Sequence, residues 1–130
     1  MSAKSDYLEK KMLDYVLRDT ADWAPSAVYL ALHTANPTDA GTGAEVSGNG
    51  YSRQAITFNE AGSTNGQTTN SSAESFTASG GSFGTVTHFG IWDAASSGNL
   101  LYYGELTAPK TIADGDTIQF AADSITITEA

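Results

Sequence analysis

The sequence predicts an all-β fold: a single antiparallel β-sandwich, Ig-like or jelly-roll in style, of about seven strands with one N-terminal amphipathic α-helix. Three observations predict it. Apolar β-formers alternate with small polar residues over short runs, most strictly in Ser124-Ile-Thr-Ile-Thr128. Clusters of Gly, Pro, Asn and Asp punctuate the chain at intervals of roughly 8–12 residues. Two apolar runs, residues 85–93 and 99–106, flank the short loop Ala94-Ala-Ser-Ser-Gly98 and read as a β-hairpin. In the first run Phe89 and Ile91 are expected on one face, with Val86, His88 and Trp92 on the other. In the second, Leu101 and Tyr103 oppose Leu100, Tyr102 and Leu106. Large side chains on both faces of both strands put this hairpin at the centre of the fold, covered on each side by other elements.

At 130 residues the chain fits one domain, with residues 1–20 forming a helical segment appended to a sandwich domain at residues 21–130. The absence of cysteine excludes Cys-type zinc sites, thiol catalysis and redox switching. Six basic residues stand against fifteen acidic ones, for a net charge of −9. Binding to phosphates needs clustered Lys and Arg, and the one cluster, Lys10-Lys11 with Arg18, is interleaved with Glu9 and Asp14. Neither nucleic acid nor an anionic membrane is therefore expected as a partner. No apolar run approaches the roughly 20 residues that span a bilayer. The stretch Met1-Ser-Ala-Lys-Ser-Asp-Tyr7 lacks the apolar core of a signal peptide, so a soluble intracellular product is expected, leaving only as part of something larger.

Residues 5–19 are predicted helical. Asp6 is expected as N-cap, with Glu9 three residues on completing a box-like pair at the positive end of the dipole. Leu8, Met12, Tyr15 and Val16 recur at i, i+4, i+7 and i+8, and Leu13 and Leu17 widen the face they share. That face packs either on the protein's own sandwich or on a neighbouring subunit.

After Ala24-Pro25-Ser26 the period changes to two. Val28, Leu30 and Leu32 form a buried face, which leaves His33 on the less buried side. Residues 35–50 form a long loop, with turns expected at Asn36-Pro37 and at Thr38-Asp-Ala-Gly41. A loop of this length in a small domain is more often functional than incidental. Asp39, Glu45 and Asn49 offer oxygen ligands, but without the regular spacing of a calcium loop, so ordinary turn chemistry is the expectation. Gly41-Thr-Gly43 and Gly48-Asn-Gly50 neither open a helix nor precede a usable lysine, which excludes a phosphate cradle.

Residues 51–58 are the next strand, with Ile56 and Phe58 inward and Tyr51, Arg53 and Ala55 on the other side. Glu45 is a candidate ion-pair partner for Arg53 that pins the long loop to this strand. Residues 59–82 read as a Gly/Ser/Thr/Asn connection with one short strand near 73–77. Asp114-Gly115 signals a tight turn, and Ile118, Phe120, Ile125 and Ile127 point inward from the last two strands.

Chemistry is sparse. The one G-x-S-x-G match, Gly80-Gly-Ser-Phe-Gly84, runs into a predicted strand rather than a helix and so lacks the nucleophile-elbow context. His33 and His88 lack an H-x-x-x-H or H-E-x-x-H spacing, His88 reading as a buried, hydrogen-bonded core residue. Fifteen acids allow many carboxylate pairs and single out none. The expectation is a non-enzymatic binding or structural module with no catalytic residue, cofactor or metal.

One set of motifs carries a resemblance. It comprises Tyr7-Leu-Glu-Lys-Lys11, Val28-Tyr-Leu-Ala-Leu-His-Thr34, Asn36-Pro-Thr-Asp-Ala-Gly-Thr-Gly43, Glu45-Val46 and Gly50-Tyr-Ser-Arg53. Gly84-Thr-Val-Thr-His-Phe-Gly-Ile-Trp-Asp93, Gly98-Asn-Leu-Leu-Tyr-Tyr-Gly104 and Pro109-Lys110 complete it. In this order and spacing the chain resembles a family of small tailed-bacteriophage virion proteins labelled "phage tail fibre protein", with relatives described as capsid-stabilising or decoration proteins. The resemblance implies a structural virion protein assembled in the host cytoplasm and present in many copies. The first expectation is a capsid decoration or cement protein bridging major capsid subunits and stabilising the shell. The alternative is a tail-fibre or tail-tip subunit that contacts tail proteins and contributes to host recognition. Either role implies homo-oligomer contacts in the particle. The candidate contact residues are Leu8, Met12, Tyr15 and Val16 on the helix, and Asn36, Asp39 and Glu45 in the long loop.

Overall fold

A chain with so many short alternating runs must bury each by pairing, and a computed structural model describing residues 2–19, 24–63 and 65–129 shows how. The elements are β1 (Ser2–Lys4), α1 (Asp6–Arg18), β2 (Val28–His33), β3 (Gln54–Ile56), β4 (Gln67–Thr69), β5 (Glu74–Thr77), β6 (Gly84–Trp92), β7 (Leu100–Ile112), β8 (Thr117–Phe120) and β9 (Thr126–Thr128). A five-stranded antiparallel sheet runs in the order β1-β7-β6-β2-β3, and the pairs β4-β9 and β5-β8 make two smaller sheets. Leu30, Leu32, Ile56, Val86, Phe89, Ile91 and Ile112 of the large sheet meet Phe76, Ile118, Ile125 and Ile127 in one apolar core. On the opposite face Ala31, Trp92 and Leu100 form a second, smaller cluster. The fold is thus the all-β antiparallel sandwich with an N-terminal helix. The hairpin β6–β7 is buried on both faces around Ile91, Trp92, Leu100 and Leu101, while Glu105 and residues 107–111 of β7 are exposed.

The described residues form nine strands where the pattern suggests about seven. β1 and β4 are the additions. β1 pairs with Tyr102–Gly104 of β7, so the segment preceding the helix is an edge strand of the main sheet. β4 is Gln-Thr-Thr, which has no apolar alternation to announce it; its pairing with β9 sets Thr68 against Ile127. The strand predicted at 51–58 is shorter, with Phe58 joined separately by a bridge to Asn70. Tyr51, expected beside Arg53 on the outer side, instead lies in the core. Its ring stacks on Phe76 at 5.9 Å and meets Phe83 edge-on at 5.8 Å.

Two irregularities in the β6–β7 ladder overturn the faces expected from strict alternation. Ile91 pairs with Tyr102 and Trp92 with Leu100, so Leu101 is an extra residue on β7. Leu100 therefore joins Trp92 and Tyr103 on the helix side, while Tyr102 and Leu106 turn to the main core. Further along, Val86 pairs with Lys110 and His88 with Glu105, so residues 106–109 oppose Thr87 alone. Pro109 falls inside this interruption, where its missing N–H removes no ladder bond. The shift brings Val86 to the same face as Phe89 and Ile91, away from Trp92.

The helix cap is also one residue earlier than expected. Ser5, not Asp6, is the N-cap: its Oγ accepts from the Leu8 N–H at 3.2 Å and donates to the Leu100 carbonyl, while its own N–H donates to Leu101 O at 2.9 Å. One serine thus starts the helix and fastens it to β7, which leaves Glu9 outside a capping-box position. The turn at Asp114-Gly115 forms as predicted, but the strands it joins lie in different sheets, so it is a corner rather than a hairpin.

The second layer is closed by one buried amide. Asn70 is fully buried and every polar atom of its side chain is used. Its Nδ2 donates to Ser72 O at 2.7 Å and Ala121 O at 3.0 Å, and its Oδ1 accepts from the Ile125 N–H at 2.8 Å. Replacing it leaves one buried and two part-buried backbone groups without their partner. Asn70→Ala is expected to destabilise the fold by about 3 kcal/mol in urea denaturation, with Asn70→Asp nearly as damaging because a carboxylate cannot donate.

Candidate functional site

The long loop is a folded element. Asn36 Oδ1 accepts from the Thr38 N–H at 2.8 Å, Gly41 N–H donates to Thr38 O at 3.0 Å, and Thr42 N–H donates to Pro37 O at 2.9 Å. Thr34 N–H to Ala44 O and Val46 N–H to Leu32 O then lay its far end along β2. Its tip touches the helix and the sheet together: Asp39 O accepts from the Asp6 N–H at 3.0 Å, and the Asp39 carboxylate accepts from the Tyr103 hydroxyl. That bond lifts the Tyr103 hydroxyl to about 12.

Beneath the loop, Arg53 organises the centre, with 6% of its side chain exposed. Its Nε and Nη2 grip the Glu45 carboxylate at 2.8 Å each, and its Nη1 donates to Ala94 O at 2.9 Å and Ser97 O at 2.8 Å. The guanidinium lies 4.1 Å from the centroid of the Trp92 ring. Tyr51 adds its hydroxyl to Glu45 Oε2 at 2.6 Å and accepts from the Leu32 N–H at 3.1 Å. The expected Arg53–Glu45 pair is therefore present, and it is bidentate and buried rather than a surface contact. Burial pushes the Glu45 carboxyl up, but the bonds from Arg53 and Tyr51 outweigh it and hold the group below 4.5. Burial, reinforced by the bond to Glu45, pushes the Tyr51 hydroxyl well above its ordinary 10.0.

His33 corrects the expectation of a less buried face, because it is fully buried. The strand pattern leaves that side open, and the loop closes over it. The Nδ1–H donates to Gly43 O at 2.6 Å, and Nε2 accepts from Trp92 Nε1–H at 3.4 Å. Gly90 makes this possible: a methyl group there would stand 2.8 Å from His33 Nε2 and 2.9 Å from Trp92 Nε1. Desolvation lowers the His33 pKa below 6.5 despite the bond to Gly43 and the nearby Glu45. His88, expected in the core, is half-buried instead. It shares a 2.8 Å hydrogen bond with Thr87 Oγ1 and lines an open cleft of about 280 Å³ with Asn36, Tyr103 and Glu105, where the β6–β7 ladder breaks.

The predicted contact residues divide. Leu8 is buried inside the protein and Met12 is half-buried, while Tyr15 and Val16 are exposed. Leu13 and Leu17, read from the sequence as widening the seated face, are also outside. The signal for this is in the pattern: apolar positions cover more of the helix than a single sheet contact can bury. Asn36 and Asp39 are exposed near the helix start, whereas Glu45 turns inward to Arg53. Asn49 donates to Ser82 O at 2.8 Å, so Asp39, Glu45 and Asn49 each serve a different structural contact. The roles of Tyr51, His33 and Trp92 in holding the loop have no local motif; they depend on strand register.

Residues 3–128, from β1 to β9, match the sequence family described as Podophage GP4 fiber I protein gp80. Comparison with curated proteins returned no match.

Glu45→Ala leaves a buried guanidinium without its counter-charge and is expected to cost about 3 kcal/mol in denaturant unfolding, with Arg53→Lys, which keeps charge but not the fork, intermediate. Acid should loosen the same region. Because the native His33 refuses a proton that the unfolded chain accepts near 6.5, its contribution is complete above that pH and lost as pH falls. Glu45 contributes above 4.5 and loses that contribution further down. Stability measured across pH 7 to 3 should fall in two stages, by at most about 1.4 kcal/mol per pH unit per group, and His33→Gln should flatten the upper stage alone.

Proposed function

Since the chain belongs to the Podophage GP4 fiber I protein gp80 family, a family of phage fibre proteins built into the virion, we propose that it is a subunit of the phage tail fibre. The observation that carries this reading is a family match that runs through every strand of the sandwich rather than through one motif. It favours the tail-fibre alternative over the capsid-decoration role expected first, for which no comparable support exists.

The geometry is consistent with a load-bearing module. Its longest loop is clamped by Arg53, Glu45 and Asp39, its helix is fastened through Ser5, and the turn end of its hairpin is covered on both faces. The side chains with the most developed electrostatics are spent on these clamps, so the proposed role is structural rather than catalytic. The partners proposed are other tail proteins and further copies of the chain, and a contribution to host recognition falls to exposed loops rather than to the buried network.

Gold-labelled antibody against the purified chain, applied to intact virions, tests the assignment together with quantitative gel densitometry. Label confined to the tail appendages, at a copy number that scales with appendages, is the expected result. Label spread over the head, at a copy number that scales with capsid subunits, would overturn it.

A further inference from the structure

Three strongly exposed apolar side chains lie together on α1. Leu13 is 60%, Val16 72% and Leu17 74% exposed, at the i, i+3, i+4 spacing that makes them neighbours on one helix face. Leu8 is buried in the protein, on the far side of the helix from Leu13 and Leu17, so the helix is apolar on two sides and one of them is left uncovered by the described residues. Single exposed leucines need no explanation, but a contiguous patch does. These exposures amount to roughly 350 Å² of apolar surface, within the ~300–600 Å² of the largest patch on a typical monomer, which is often functional.

Charge selects the occupant. The chain carries −9, yet on α1 Asp6, Glu9 and Asp14 are balanced by Lys10, Lys11 and Arg18, so the helix is neutral and holds half of the six basic residues. Lys10 and Arg18 both reach Asp14, at 2.7 and 3.6 Å, which forms a neutralised row on the helix surface. Two copies of such an acidic chain repel across most of their surfaces, but an approach through α1 sets no net charge against net charge. The polarity is self-complementary as well: acidic residues occupy the first turn and Arg18 the last. Two such helices laid antiparallel bring acidic end to basic end and align their dipoles favourably. An anionic membrane would be repelled by the body and finds no cationic helix face to hold. A basic protein would be drawn to the acidic remainder of the surface.

We propose that α1 is a self-association surface, packing antiparallel on α1 of a second copy through Leu13, Val16 and Leu17. The contact does not depend on where in the virion the chain is placed. Two such patches bury roughly 700 Å² in total, below the ~1,200 Å² of a typical stable interface, so the pair is weak in isolation and serves to set the register of copies already gathered in the particle.

Sedimentation equilibrium of the full chain from roughly 10 μM to 1 mM reads the association directly. Reversible dimerisation that strengthens with added salt is expected, because salt screens the repulsion between the acidic bodies. Leu13→Ser with Leu17→Ser should weaken it by at least about tenfold without changing the circular dichroism spectrum. As the chain has no cysteine, Val16→Cys supplies a unique cross-linking probe near the proposed two-fold axis. It should form a disulfide-linked dimer about tenfold faster than Ser79→Cys, a control on the β5 side of the molecule. A wild-type chain that stays monomeric at ~1 mM, association untouched by the double serine variant, or cross-linking no faster than the control would each overturn the proposal.

Discussion

Arg53 carries a permanent charge into a place where little of its side chain meets water, and the rest of the structure is arranged to make that tolerable. A guanidinium taken out of solvent loses several kcal/mol of hydration, which a single loose contact does not return. Here Glu45 takes two of its donors, the carbonyls of Ala94 and Ser97 take others, and the face of Trp92 covers the plane. The four partners come from three parts of the chain: the long loop, the β6–β7 turn and the end of β6. The net stabilisation from such a pair is modest, but the arrangement is specific, because displacing any one partner exposes an unpaired buried charge.

The consequences spread outward from that point. With Glu45 held, the loop lies along β2 and closes over His33, whose two ring nitrogens then join Gly43 to Trp92. With the loop closed, Asp39 is in position to receive the Asp6 N–H and the Tyr103 hydroxyl, which ties the helix start to the same assembly. Gly90 belongs to the same chain of requirements, since any side chain there would occupy the space in which His33 meets Trp92. The hairpin is thus a scaffold in a specific sense: its inner face makes the core, and its outer face is the floor on which loop and helix are fixed.

Much of this was legible in the sequence, and what was not has a common cause. Alternation located β2, β6, β8 and β9, and Asp114-Gly115 located the last corner, because burial of one face imposes a period of two. The Arg53–Glu45 pair was legible from scarcity, with only two arginines in the chain and an acid just upstream. Side-chain facing was lost wherever a residue was inserted in one strand of a pair, as at Leu101 and at residues 106–109, since a slip of one position reverses every later side chain. The burial of His33 was lost because a loop has no periodicity, so the surface it covers cannot be read from its own residues. β4 was lost because a strand of glutamine and threonine looks like a connection until its partner is known.

The helix shows how a fold can be complete and still leave an unspent surface. Ser5 and Leu8 seat α1 on β7, and Leu13, Val16 and Leu17 further along remain largely exposed. Exposed leucines and a valine carry a cost in solubility, which a charge of −9 elsewhere offsets by keeping copies apart. The two features make sense together: repulsion over the body suppresses random aggregation, and the neutral helix is the surface we propose for contact between copies. A subunit that must stay dispersed until it is gathered into a particle needs both properties. In this chain they are divided between the acidic sandwich and the 13 residues of α1.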